Sequence, residues 1–193
     1  MIRGYPRPQL RLIQGGLNCS TQVGAVEVVA APDGRLPFKV EGFVFEEDTA
    51  LMLSSSGKDL NSCREQMLKS HARGVAFEPR SPGSVVVKGR YPYRIFAVVH
   101  DLDCDPTWRV RWVKAAIDSL LLEVDRLELR AVALPLLGTV HGQMDPERFL
   151  VMLHQSLMEG PPRLLRRLWL IAPSENCGGI IKILEATKSR AFW

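Results

Sequence analysis

The residues best placed to do chemistry lie in one short stretch, RAVALPLLGTVHGQMDP, from Arg130 to Pro146. An apolar run there empties into Gly138, Thr139, Val140, His141 and Gly142, and Asp145 and Pro146 then open a new helix. A strand, turn and helix in that order gather backbone N–H groups and a helix N-terminus at one point, the usual α/β arrangement for holding a phosphate or another anion. The Thr139 hydroxyl and the N–H groups of Val140, His141 and Gly142 are the candidate anion ligands. A second candidate is Ser54, Ser55, Ser56 and Gly57, small residues at the end of a predicted strand. Hydroxyls there either face a ligand or cap the following turn.

Other constellations fail on their spacing. Asp101, Asp103 and Asp105 alternate like the start of an EF-hand, but Pro106 stands where that loop needs glycine and Trp112 where it needs glutamate. Asp105 reads instead as a helix cap, the other two as solvated charges. Gly57-Lys58 has the ending of a phosphate-binding P-loop, yet Met52 stands at its first glycine and Asp59 at its magnesium-binding hydroxyl. His71, His100, His141 and His154 show no ligand spacing; His154, on an amphipathic helix, is expected at the surface or its boundary, and His141 is retained for its place in the turn. Cys19, Cys63, Cys104 and Cys177 form no CxxC pair, so reduced and mostly buried thiols are expected, with neither zinc site nor disulfide framework. No nucleophile–base spacing is visible. No metal and no cofactor is expected.

The elements that position the turn follow from periodicity. Val85–Val87 and Arg94–His100 are apolar, strand-like runs, and Asp105-Pro106 has helix-start chemistry. Val113, Ala116, Ile117, Leu120, Leu121 and Val124 then recur at three- and four-residue steps, the signature of one buried helix face. Ala131–Leu136 is a strand, Asp145-Pro146 begins a second helix broken by Gly160-Pro161-Pro162, Leu168–Ala172 is another strand, and a last helix runs from about Ser174 to Lys188. Strands alternating with helices predict a mostly parallel sheet. Upstream, Gln9–Ile13, Ala25–Ala31, Phe38–Phe45 and Ala50–Leu53 read as extended, with a turn at Pro32-Asp33-Gly34-Arg35 and a short helix over Leu60–Ser70.

The chain has 193 residues, 46% of them hydrophobic and 24% charged, so one well-buried domain is expected: a strand extension over 1–36 and a core over 37–189. No apolar run approaches the ~20 residues that span a bilayer, and the proline- and arginine-broken start lacks a secretory core, which predicts no membrane partner and a cytoplasmic protein. A net charge of +4 is no nucleic-acid footprint; its clearest cluster, Arg163, Arg166 and Arg167, reads as a solvated helix end.

The order and wording of these elements resemble the macro domain, an ADP-ribose-binding module. FKVEGFVFEEDTALMLSSSG, from Phe38 to Gly57, is similar to the family's opening strand pair, V-x-G-D-I-T followed by D-A-I-V-N-A-A-N. PGSVVVKGRYPYRIFAVVHD resembles its central strands, RAVALPLLGTVHGQMDPERF its phosphate loop and helix, and LRRLWLIAPSENCGGIIKIL its last strand and helix. The resemblance covers roughly Phe38 to Lys188 and implies a three-layer α/β/α sandwich with a mixed, mostly parallel sheet, here with extra N-terminal strands. It implies a nucleotide or ADP-ribose-like phosphate ligand between Ser54–Gly57 and Gly138–Gly142.

The departures shape that expectation. Phe43 stands at the family's adenine-binding aspartate, Ser56 at its ribose-contacting asparagine, and Ala172 at its adenine-covering aromatic. Val140 replaces a loop glycine, and the long glycine loop shrinks to Gly57-Lys58-Asp59. A lost carboxylate–amino pair costs ~1–3 kcal/mol and a lost stack about 0.5–1.5 kcal/mol, together with the shortened loop a weakening of about a thousandfold. Phe43 stacking on a base would offset part of this. Without the long loop a binding, non-catalytic role is expected. The alternatives are a ligand-free scaffold or homo-oligomerisation domain that keeps the fold, and, further off, a hydrolase of ADP-ribose derivatives working near His141 and Asp59.

Overall fold

The structure is a computed structural model that describes residues 19–53 and 79–190, with side chains to 188. Gln9–Ile13, Ser54–Gly57, the Leu60–Ser70 helix, Cys63 and His71 therefore lie outside the described residues. The described residues form seven strands: β1 (Ser20–Val23), β2 (Val26–Ala31), β3 (Gly42–Asp48), β4 (Val85–Lys88), β5 (Tyr93–His100), β6 (Ala131–Pro135) and β7 (Arg167–Ile171). Among the described residues three α-helices accompany them: α1 (Val110–Arg126), α2 (Pro146–Glu159) and α3 (Cys177–Arg190), the last preceded by a 3₁₀ turn at Ser174–Asn176.

The sheet order is β1-β2-β7-β6-β3-β5-β4. Strands β2, β7, β6, β3 and β5 run parallel, and the outer strands β1 and β4 are antiparallel to their neighbours. This is the mixed, mostly parallel α/β sheet expected, with β1 and β2 added on one edge. From β3 the chain moves to β5 on one side, then returns through α1 to β6 on the other. The direction of winding thus reverses at β3, and a crevice at the carboxyl ends of the strands is the expected result.

All three helices bury their apolar stripes against one sheet face. The six α1 residues predicted to face inward are all buried there, with Phe149, Leu150, Leu153 and Leu157 of α2 and Ile180, Ile181 and Leu184 of α3. Alternate strand residues point to the other face, where Ala133 and Trp169 form a smaller cluster with Phe38, Val40, Phe43 and Ile171. Trp169 is buried, and its indole N–H donates to Ala31 O at 3.0 Å, tying β7 to the added strand β2.

Several sequence expectations need correction. Ala50–Leu53 is a turn and not a strand: Glu47 and Asp48 at the end of β3 are buried and accept the N–H groups that a strand would give to a neighbour. Asp48 takes those of Ala50 (2.5 Å) and Met52 (3.3 Å), and Glu47 that of Leu53 (3.0 Å). Asp105-Pro106 does not start a helix. That segment folds back on β5, with Asp101 N–H donating to Thr107 O at 2.7 Å, and α1 begins after an extended, uncapped Arg109. Asp145-Pro146 behaves as expected, its carboxylate accepting from Glu147 N–H and proline standing at the first helical position. His154 is buried between α2 and α3, only 3% exposed, because its position falls within the inward stripe of α2.

Candidate functional site

The carboxyl ends of the parallel strands carry four segments: Pro32-Asp33 after β2, Thr49–Leu53 after β3, Leu136–Met144 after β6 and Ala172–Asn176 after β7. Between them lie two adjoining cavities. The larger, of about 680 Å³, is bounded by Pro32 and Asp33, by Leu136, Thr139 and Val140, and by Ala172 and Asn176. The smaller, of about 290 Å³, is bounded by Phe43, Phe45, Glu46, Leu53, Val140 and His141. Asp33, Pro135, Val140 and Ile171 border both. Among the described residues no lysine or arginine lines either one, so His141 is the only potentially cationic side chain beside the cleft.

The glycine turn after β6 is built from beneath. Gly138 has φ +78°, a conformation that disfavours side chains, and a Cβ there would sit 3.2 Å from Val113 Cγ2. Its N–H donates to Glu46 Oε2 at 2.8 Å, and its carbonyl accepts from Met144 N–H at 2.9 Å. Gly142 lies flat on Trp108: a Cβ there would meet the indole Cδ1 and the Gly138 carbonyl oxygen, each at 2.6 Å. Thr139 turns its hydroxyl inward to Leu136 O at 2.7 Å, so that hydroxyl is engaged. Val140 projects outward, 71% exposed, and His141 and Gln143 are exposed beside it. Among the described residues, the N–H groups of Val140, His141, Gly142 and Gln143 donate to nothing.

The N-terminus of α2 is less available than the sequence implied. Asp145 caps it with its own carboxylate, Pro146 has no N–H to offer, and Glu147 adds a negative charge in the first turn. These groups spend the positive end of the helix dipole internally.

Under the turn sits a buried polar pair absent from the sequence reading. Glu46 Oε1 lies 2.6 Å from His100 Nε2, and His100 Nδ1 lies 3.1 Å from Thr107 Oγ1; the glutamate is 8% and the histidine 1% exposed. One carboxylate thus joins β3 to β5 and to the Gly138 amide. His141 stands edge-on to His100, with ring centroids 6.1 Å apart. The signal for Glu46 in the sequence was three consecutive acids closing an apolar strand; the signal for its partner, 54 residues on, was nil. Phe43, half-buried, lines the smaller cavity and packs on the Trp169 cluster.

Of the residues predicted for the site, Phe43, Thr139, Val140 and His141 border the cavities, and Gly138 and Gly142 shape the turn. Ser54, Ser55, Ser56 and Gly57 lie outside the described residues. Asp101, Asp103 and Asp105 do not assemble a cation site, and no metal-binding group of acids, histidines and cysteines exists among the described residues. No described helix is long and apolar enough to cross a membrane.

No protein-family model and no curated protein matches the sequence. Solved structures do match the fold. A macrodomain of Oceanobacillus iheyensis with ADP is similar at a TM-score of 0.64 and 14% identity, over 90% of this chain and 97% of that one. A mutant of the same macrodomain with ADPR is similar at 0.63 and 12% identity, over 89% and 98%. The macrodomain of Thermus aquaticus DarG is similar at 0.53 and 18% identity, over 76% and 98%. The chain has the macrodomain fold.

Proposed function

We propose that this chain is a non-catalytic binding module that takes a nucleotide of the ADP-ribose type in the cleft at its strand ends. The reading rests on one observation: a cleft of about 680 Å³ bordered by a turn whose four consecutive N–H groups, at Val140, His141, Gly142 and Gln143, find no acceptor among the described residues. The phosphates lie along those amides, assisted by His141, and the base and sugar fill the largely apolar cavities beside Phe43. Macrodomain-fold structures holding ADP and ADPR support this choice of ligand. With no lysine or arginine among the described residues of the lining, the anion is held there by backbone dipoles, each charge-assisted hydrogen bond contributing ~1.5–3 kcal/mol.

Calorimetry with ADP-ribose on the intact chain is the test, with Val140→Glu as the control. Wild type gives saturable heat at millimolar ligand or below. The exposed Val140→Glu variant keeps its Tm and loses the heat, because a carboxylate then faces the phosphates. Silence of the wild type at millimolar ligand overturns the reading. That outcome is the one required by a ligand-free scaffold, which the Glu46 grip on Gly138 N–H and the self-capped α2 favour.

A further inference from the structure

A third cavity, of about 300 Å³, lies behind the wall of the cleft, between the β1–β2 edge and the start of α3. Two thiols line it, Cys19 at the foot of β1 and Cys177 at the first residue of α3, and Arg35 stands at the same cavity. Both cysteines are free; Cys19 is half-buried and Cys177 buried. Cys19 is held in place by its carbonyl, which accepts from Ala30 N–H at 2.8 Å, and its side chain packs on the core cluster that contains Cys177. Cys177 points its thiol at Pro173 O, 3.4 Å away. Burial, reinforced by the neighbouring Cys19, pushes the Cys177 thiol up from its ordinary value.

Two thiols from elements 158 positions apart in sequence, facing one open cavity beside a guanidinium, make a dithiol site. We propose that Cys19 and Cys177 form a reversible disulfide, driven by an anionic small-molecule disulfide of the glutathione class, that pins the β1 edge strand to α3. Cys19, the more accessible, attacks first. Its thiolate displaces one glutathione thiolate and becomes a mixed disulfide, with Arg35 facing the carboxylates of the incoming tripeptide. Cys177 then loses its proton, attacks the Cys19 sulfur and releases the second glutathione thiolate. Two protein thiols are oxidised and one disulfide is reduced to two thiols, so the exchange balances. Pro32 borders both this cavity and the large cleft, and the Ala172–Cys177 turn separates them, so the bond braces one wall of the cleft.

The test incubates the full chain with glutathione disulfide or with dithiothreitol, then counts thiols and maps peptides by mass spectrometry without reduction. The oxidised protein is expected to lose two thiols and yield a Cys19–Cys177 linked peptide, with Tm raised by roughly 5–15 °C, as for a bridge closing a long loop. Dithiothreitol reverses all three. Cys19→Ser and Cys177→Ser each abolish the link and the Tm gain, and Cys104→Ser leaves both. A glutathione adduct persisting on Cys19 with Cys177 free, or a link from either cysteine to Cys63 or Cys104, overturns the proposal. The wild-type map decides this even if a serine variant fails to fold.

Discussion

Replacing Glu46 by glutamine tests how the anion turn is held. As a carboxylate, Glu46 only accepts, so it accepts hydrogen bonds from Gly138 N–H at 2.8 Å and from His100 Nε2–H at 2.6 Å. In the neutral ring Nδ1 is then the accepting nitrogen, facing the Thr107 hydroxyl at 3.1 Å. In Glu46→Gln the amide oxygen must stay on Gly138 N–H, which has nothing else to offer. The amide NH₂ therefore faces Nε2, which must shed its proton, and Nδ1–H now donates to Thr107. Two hydrogen bonds to a charged group, worth ~1.5–3 kcal/mol each, become two neutral ones of ~0.5–1.5 kcal/mol. The expected cost is about 2–3 kcal/mol, or a Tm lower by roughly 5–10 °C for a chain of this size. Urea titration measures the first part, and ¹⁵N chemical shifts of the His100 ring nitrogens measure the tautomer. An unchanged midpoint together with a proton retained on Nε2 would refute the argument.

Three further outcomes are expected. His154 is held below its ordinary pKa by burial and then by Lys188, so its neutral form is favoured in the folded state; that stability is present above about pH 6.5 and lost as pH falls through the lowered folded value. Urea midpoints measured between pH 7 and pH 5 therefore fall less in His154→Leu than in wild type. Gly142→Ala drives a methyl into the Trp108 indole and the Gly138 carbonyl; calorimetric scans should show about 1–3 kcal/mol of destabilisation, and an unchanged Tm contradicts the close packing. Asp145→Ala removes the α2 cap and costs about 1 kcal/mol by denaturation, while a variant as stable as wild type rules the cap out.

Much of the fold was legible because it depends on spacing that repeats. The α1 stripe, the Asp145-Pro146 start and the apolar runs of β5, β6 and β7 each bury what their periodicity says they bury. The site was legible only in outline. Gly138 and Gly142 announced a turn, but not that one amide of it would be taken by Glu46 or that Trp108 would press on its far side. Both partners come from sequence-distant segments, and only the reversal of winding at β3 brings them together. That the acids Glu47 and Asp48 would be buried was not legible for a related reason. Carboxylates are buried when they feed orphan backbone donors, and those donors exist only once the turn after β3 has formed. His154 shows the converse: a polar letter within a helical stripe follows the stripe inward.

The Trp169 indole bonded to Ala31 O has a practical consequence. Without β2, the parallel strand β7 would end the sheet as a five-residue row of unpaired amides with an indole at its margin, a template for another chain's backbone. With β2 zipped along it and the four-residue β1 folded back antiparallel, the border of the sheet among the described residues is short and opposite in direction. Trimming the chain at residue 36 to isolate the familiar core would thus remove its guard against aggregation, and preparations for ligand work should keep the leading strands.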